Sequence, residues 1–103
     1  MVLARPEIVC ICGSVRFMEE MREASRDLAL AGVIVVAPVD VGAMVLTEEL
    51  KAVLGDLHLR KIDLADRVVI VNPGGYVGDS TSKEISYARA AGKVVEFTTP
   101  IQE

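Results

Sequence analysis
Glu84 stands just beyond a glycine-rich polar stretch, Asn72-Pro73-Gly74-Gly75-Tyr76-Val77-Gly78-Asp79. A carboxylate one helical turn past such a loop can point back into a crevice above it. Ionised there, it can attack an anomeric carbon and form a glycosyl intermediate. The local pattern allows a second use. Thr81-Ser82-Lys83-Glu84 matches a capping box, in which Glu84 would only accept a backbone N–H.

The residues around it fit the same two kinds of role. Ser80, Thr81 and Ser82 can hold a phosphate or carboxylate with the help of a helix N-terminus, or simply cap that helix. Gly74, Gly75 and Gly78 allow a sharp turn and close approach of backbone to a ligand. Tyr76 can stack on a planar base or cover an edge of the core. A second polar turn, Gly13-Ser14 with Arg16, offers a guanidinium for bidentate binding of an anion, unless Arg16 is merely solvated. His58 is the only histidine of the chain. It can act as general acid or base, or serve in packing. Asp63 and Asp66 precede an apolar run; either can cap, pair with Arg67 or Lys61, or reach a site. Asp40, beyond Pro38, can face the mouth of a crevice.

These residues need elements to position them. Glu7–Cys12 reads as a first strand, apolar on both faces, as in a parallel sheet covered on both sides. Ser14 can cap a helix running to about Ala31, with Phe17/Met18, Met21, Ala24, Leu28 and Ala31 on one stripe and Gly32 as the stop. Val33–Ala37 is a second strand closed by Pro38. Val39–Leu46 is apolar without a period and reads as a loop or short helical turn. Thr47 caps the next helix, with Glu48 and Glu49 favoured by the dipole in its first turn and Leu50, Val53/Leu54 and Leu57 as its apolar face. Gly55 is a possible break before a second helical stretch, Asp56–Asp66. Arg67–Asn72 is the third strand. A third helix ends at Ala91 with Gly92 as its stop, Lys93–Phe97 is the fourth strand, and Thr98–Glu103 is a tail.

Strands alternating with helices imply a parallel sheet with right-handed crossovers. The expected architecture is α/β and flavodoxin-like: a three-layer sandwich with four to five strands in the order 2-1-3-4. Ligands bind such sheets at the carboxyl ends of the strands flanking the topological switch point, here strands one and three. The two glycine-bearing turns, Gly13-Ser14 and Asn72–Glu84, fall at those ends.

At 103 residues the chain suits one domain spanning 1–103, and 51% of it is hydrophobic. That is more apolar than so small a domain needs, which points to burial between subunits. The net charge of −4 gives no electrostatic reason to expect nucleic acid. Charges interrupt every apolar run short of a membrane span, and Met1–Pro6 lacks the apolar core of a signal peptide. Cys10 and Cys12, the only cysteines, have neither a redox nor a metal-knuckle spacing. Two reduced core thiols in a cytoplasmic protein are the simplest expectation. No His, Cys and Asp cluster shows metal-ligand spacing along the chain.

The chain resembles the nucleoside 2-deoxyribosyltransferase-like superfamily, which includes the nucleoside 5′-monophosphate N-glycosidases. The resemblance rests on the first strand with Gly13-Ser14, the Ala65-Asp66 pair opening an apolar strand, the glycine loop, Glu84, Ala88 and Gly92-Lys93. It covers most of the chain. In that family the glutamate in this place is the nucleophile on C1′ of the sugar, so the resemblance makes Glu84 the nucleophile. The family commonly has an aspartate about two turns before the Ala-Asp pair; here that place is close to His58, with Asp63 nearer the strand. The stretch from Gly78 to Glu84 is also longer than in well-known members, as in a distinct small subgroup. Cys12-Gly13-Ser14 and Pro73-Gly74-Gly75 with Glu84 are similar to features of cytokinin-activating phosphoribohydrolases too, but those chains are larger and order the loop differently.

The expected activity is cleavage or transfer of the N-glycosidic bond of a nucleoside or its 5′-monophosphate. Glu84 would attack, and His58 or Asp63 would assist the departing base. Gly13, Ser14, Arg16, Asp40, Gly75, Tyr76, Gly78, Ser80, Thr81 and Ser82 would line the substrate site. No metal or organic cofactor is expected, and a homodimer or higher homo-oligomer is. The alternatives are a module that binds a nucleotide without cleaving it and a structural oligomeriser.

Overall fold
The computed structural model describes residues 5–100; residues 1–4 and 101–103, which include parts of the expected N-terminal segment and tail, lie outside the described residues. The order of elements is β1 (Ile8–Gly13), α1 (Met18–Leu30), β2 (Ile34–Val36), α2 (Glu48–Leu64), β3 (Arg67–Val71), α3 (Asp79–Ala90) and β4 (Val94–Phe97). Single 3-10 turns at Val15–Phe17 and Pro73–Gly75 precede α1 and α3.

The sheet is parallel throughout, in the order β2-β1-β3-β4. Alternation along the central strands separates the two faces. Ile11 and Val71 pack with Met21, Phe17, Met18, Ala24 and Leu28 against α1. Cys10, Cys12, Val68 and Ile70 point the other way and pack with Ile62, Ala65, Ile85 and Ala88 of the α2–α3 layer. The result is the expected three-layer flavodoxin-like α/β sandwich.

Several local expectations change. Ser14 caps the 3-10 turn before α1, accepting from Arg16 N–H at 3.3 Å, not α1 itself. Gly55 does not break α2, which runs through it as one 17-residue helix. The apolar residues Leu50, Val53 and Leu57 do not enter the core and remain about half exposed, while the core-facing side of α2 carries His58 and Ile62. Val39–Leu46 forms no helix. Asp66 pairs with neither Arg67 nor Lys61. It accepts from the Ile8 N–H at 2.8 Å and the Arg5 guanidinium at 3.0 Å. Arg67 pairs with Glu7 and Glu96.

The end of β3 is anchored by Asn72, which is fully buried. Its Nδ2–H donates to the Thr99 carbonyl at 2.8 Å, and its Oδ1 accepts from the Thr99 N–H at 2.9 Å. Gly74 and Gly75 then adopt φ of +68° and +84°, a left-handed pair that only glycine takes readily, and the chain reverses into α3.

Candidate functional site
A crevice of about 680 Å³ opens above the carboxyl ends of the strands. Gly13 and Ser14 after β1, Pro38 and Val39 after β2, and Tyr76 after β3 reach it from the sheet side. One wall is apolar, built by Val41, Leu46, Leu54 and Leu57. The opposite wall is the start of α3, with Gly78, Asp79, Ser80, Thr81 and Glu84.

The position of Glu84 follows from where α3 begins. The N-cap is Gly78 and the helix starts at Asp79, so Glu84 lies in the second turn, beyond the capping positions. The capping-box reading is therefore corrected: a capping box needs Thr81 at the N-cap. Thr81 is instead inside the helix and buried. The freed carboxylate turns inward, with only 17% of its side chain exposed, and Oε1 comes within 3.9 Å of His58 Nε2. Burial raises the Glu84 carboxyl above its ordinary value, against the opposing pull of His58.

His58 sits at the floor of the crevice, with its side chain 6% exposed. Its Nε2 is 3.1 Å from Cys12 Sγ and 3.8 Å from Cys10 Sγ. Its Nδ1 is buried without a hydrogen-bond partner. Burial pulls the imidazole down, but the Cys10 hydrogen bond and the Glu84 charge outweigh it and hold it above its ordinary value. Two adjacent buried thiols cannot both ionise readily. The hydrogen bond from Cys12 draws Cys10 down to about 6 against its burial, and the same contact together with burial pushes Cys12 up.

This cluster escaped sequence reasoning because 46 residues separate Cys12 from His58. The available signal was weaker: two cysteines on one strand face, under a helix layer holding the only histidine.

Of the residues expected at the site, Gly13, Ser14, His58, Tyr76, Gly78, Ser80, Thr81 and Glu84 line the crevice. Arg16 is next to it, its guanidinium 4.0 Å over the Tyr76 ring, and Phe17 meets the same ring edge-on at 5.9 Å. The fold does not bring the others in. Asp63 accepts from the Tyr87 hydroxyl at 2.7 Å and pairs with Arg60 on the outer surface. Asp40 pairs with Arg22 at 2.6 Å and accepts from the Gly42 N–H. Gly75 shapes the turn without lining the crevice, and Ser82 points to solvent. Lys61, unexpected there, lines the crevice and donates to the Ala37 carbonyl at 2.8 Å, fastening α2 to the end of β2.

No protein-family model matches the chain, and no curated protein does. Solved structures do. A 2-deoxyribosyltransferase from Bacillus psychrosaccharolyticus superposes with a TM-score of 0.68 at 19% identity, over 93% of this chain and 74% of that one. A 2-deoxyribosyltransferase from Leishmania mexicana gives 0.61 at 20% identity, over 89% of this chain and 63% of that one. The present chain thus spans about three quarters of the first and under two thirds of the second. At these identities the likeness is one of fold: the chain has the nucleoside 2-deoxyribosyltransferase-like fold.

Proposed function
We propose that this protein cleaves or transfers the N-glycosidic bond of a nucleoside or nucleoside 5′-monophosphate, with Glu84 as the nucleophile. The observation that carries the reading is the placement of Glu84. It is a carboxylate released from capping, withdrawn from solvent, and turned into a crevice above the carboxyl ends of β1 and β3. The 2-deoxyribosyltransferases that share the fold support the same class of reaction.

In this reading the ionised Glu84 oxygen attacks C1′ as the bond from C1′ to the base nitrogen breaks. The bonding pair leaves with the base, which takes a proton from solvent. Water or a second base then attacks C1′, gives up a proton to solvent, and frees the carboxylate. His58, 3.9 Å away, lies beyond direct hydrogen-bond distance and acts through its positive charge, which favours the ionised Glu84. The apolar wall of Leu54 and Leu57, with the Tyr76 ring in the same crevice, suits a planar base. Ser14, Ser80 and Thr81 offer hydroxyls to the sugar or its phosphate. Val39, which lines the crevice, and Met44 and Val45 in the same loop are all more than half exposed. A second copy of the chain covers them in the proposed homo-oligomer, which size-exclusion chromatography with light scattering would show as a dimer or larger.

The test is incubation with a panel of nucleosides and their 5′-monophosphates, scored for free base by chromatography. Base released by the wild type and lost in Glu84→Ala supports the reading. No release from any substrate, with thermal stabilisation by a nucleotide, would replace it with a binding module.

A further inference from the structure
We propose that Cys10, Cys12 and His58 form a binding site for a thiophilic divalent cation, zinc foremost, whose fourth ligand is Glu84. The donor atoms come from two elements. Cys10 and Cys12 project from one face of β1, and His58 reaches down from α2 above them. Their Sγ and Nε2 atoms all lie within 4.8 Å of one another. Around tetrahedral zinc, bonds of about 2.3 Å to sulfur and 2.0 Å to nitrogen place neighbouring donors roughly 3.5 Å apart. The two sulfur-to-Nε2 distances, 3.1 and 3.8 Å, bracket that spacing. Small side-chain shifts are therefore enough to admit the ion.

The surroundings favour a ligand role over packing. All three side chains are buried, and the imidazole turns Nε2, the nitrogen that would ligate, toward both sulfurs. Two thiolates and an imidazole select zinc over magnesium or calcium, which prefer oxygen ligands.

The fourth ligand comes from the crevice, which His58 and Glu84 both line. Glu84 Oε1 is 3.9 Å from Nε2, close enough to complete the set after a small shift. Ligation needs both sulfurs as thiolates and Nε2 without its proton, so binding one zinc ion releases to solvent whichever protons these three atoms carry and changes no oxidation state. Ligation by Glu84 then occupies the carboxylate that the proposed reaction needs, so the zinc-loaded protein is inactive. That consequence rests on the glycosyl-transfer reading; the binding site does not.

The full chain, reduced and stripped with a chelator, is titrated with cobalt(II) without oxygen. One cobalt ion per chain is expected, with a sulfur-to-cobalt charge-transfer band in the near ultraviolet and tetrahedral bands in the visible. One equivalent of zinc should bleach both. Cys12→Ser and His58→Gln, checked for folding by circular dichroism, should each weaken binding by about 100-fold or more, since even loss of an outer partner costs ~10–100-fold. Should either variant unfold, X-ray absorption of the zinc-loaded wild type decides: a shell of two sulfurs supports the site, and a shell of oxygen and nitrogen alone overturns it. A cobalt titration without the charge-transfer band overturns it as well. Base release by stripped protein that zinc abolishes supports the inhibitory consequence, and release unaffected by zinc overturns it. A charge-transfer band in a protein that releases no base, stripped or loaded, keeps the metal site and removes the glycosyl-transfer reading.

Discussion

His58 Nε2 and Glu84 Oε1 face each other at 3.9 Å, from the middle of α2 and the second turn of α3. Neither residue is exposed enough to be a solvated surface charge. Their meeting point is the floor of the crevice, where burial opposes the ionised carboxylate and the imidazole favours it. In the proposed reaction this pair would be the reactive centre.

Replacing Glu84 with Gln keeps the size and most of the packing of the side chain but removes the nucleophile. Base release should fall by about 1000-fold or more, with little change in melting temperature. Single-turnover measurements on a verified substrate check this. A rate within a few-fold of wild type would sink the nucleophile assignment.

Gly13 ends β1 at the lip of the crevice. A Cβ placed there would lie 2.9 Å from the Val71 carbonyl oxygen and 3.0 Å from Met21 Sδ. The methionine can move, but a backbone carbonyl inside the central strand pair cannot. Gly13→Ala should therefore destabilise the protein by about 1–3 kcal/mol, read from the urea midpoint. An unchanged midpoint would contradict the close approach of β1 to β3.

Asn72 is the buried link between the end of β3 and the segment after β4. Asn72→Ala removes both of its bonds to the Thr99 backbone and should cost about 1–3 kcal/mol. Because the same residue starts the turn into α3, substrate affinity should weaken alongside stability. Urea unfolding and KM on one sample separate the two effects.

Acid sensitivity should come partly from the outer end of the sheet. The hydrogen bond from Arg5 and the Ile8 N–H hold Asp66 below its ordinary 3.8, and Arg67 does the same for Glu7. Carboxyls lowered in the folded state stabilise it above their unfolded values, and that stability is lost as pH falls through the folded ones. The melting temperature should drop on acidification below about pH 4, and Asp66→Asn should flatten that drop while lowering the melting temperature at neutral pH. Equal acid slopes for the two proteins would refute it.

The sheet order was legible because each strand is a short apolar run ended by a turn signal, and the helices between them leave only parallel crossovers. Glu84 was legible as a candidate, but its local pattern pointed to a cap that the helix does not use. Thr81-Ser82-Lys83-Glu84 has the residues of a capping box, yet the helix starts at the side-chain-free Gly78, a cap with no hydroxyl to announce it. The apolar face of α2 misled for a related reason. Leu54 and Leu57 border the crevice instead of the core, and periodicity does not distinguish the two. Asp63 and Asp40 were placed by proximity to strand ends, whereas nearby cations and a tyrosine hydroxyl hold them outside the crevice.

The two walls of the crevice come from different parts of the chain. Glu84 and His58 belong to α3 and the buried side of α2, locked onto the sheet by Ile62, Ile85 and Ala88. The apolar wall comes from the loop after β2 and the exposed start of α2, where Val41, Leu46 and Leu54 have few obligations to the core. Substitutions there can reshape which molecule is admitted without disturbing the centre that would act on it. In the proposed reading, the choice of molecule can thus be altered from one wall alone while Glu84 and His58 keep their places.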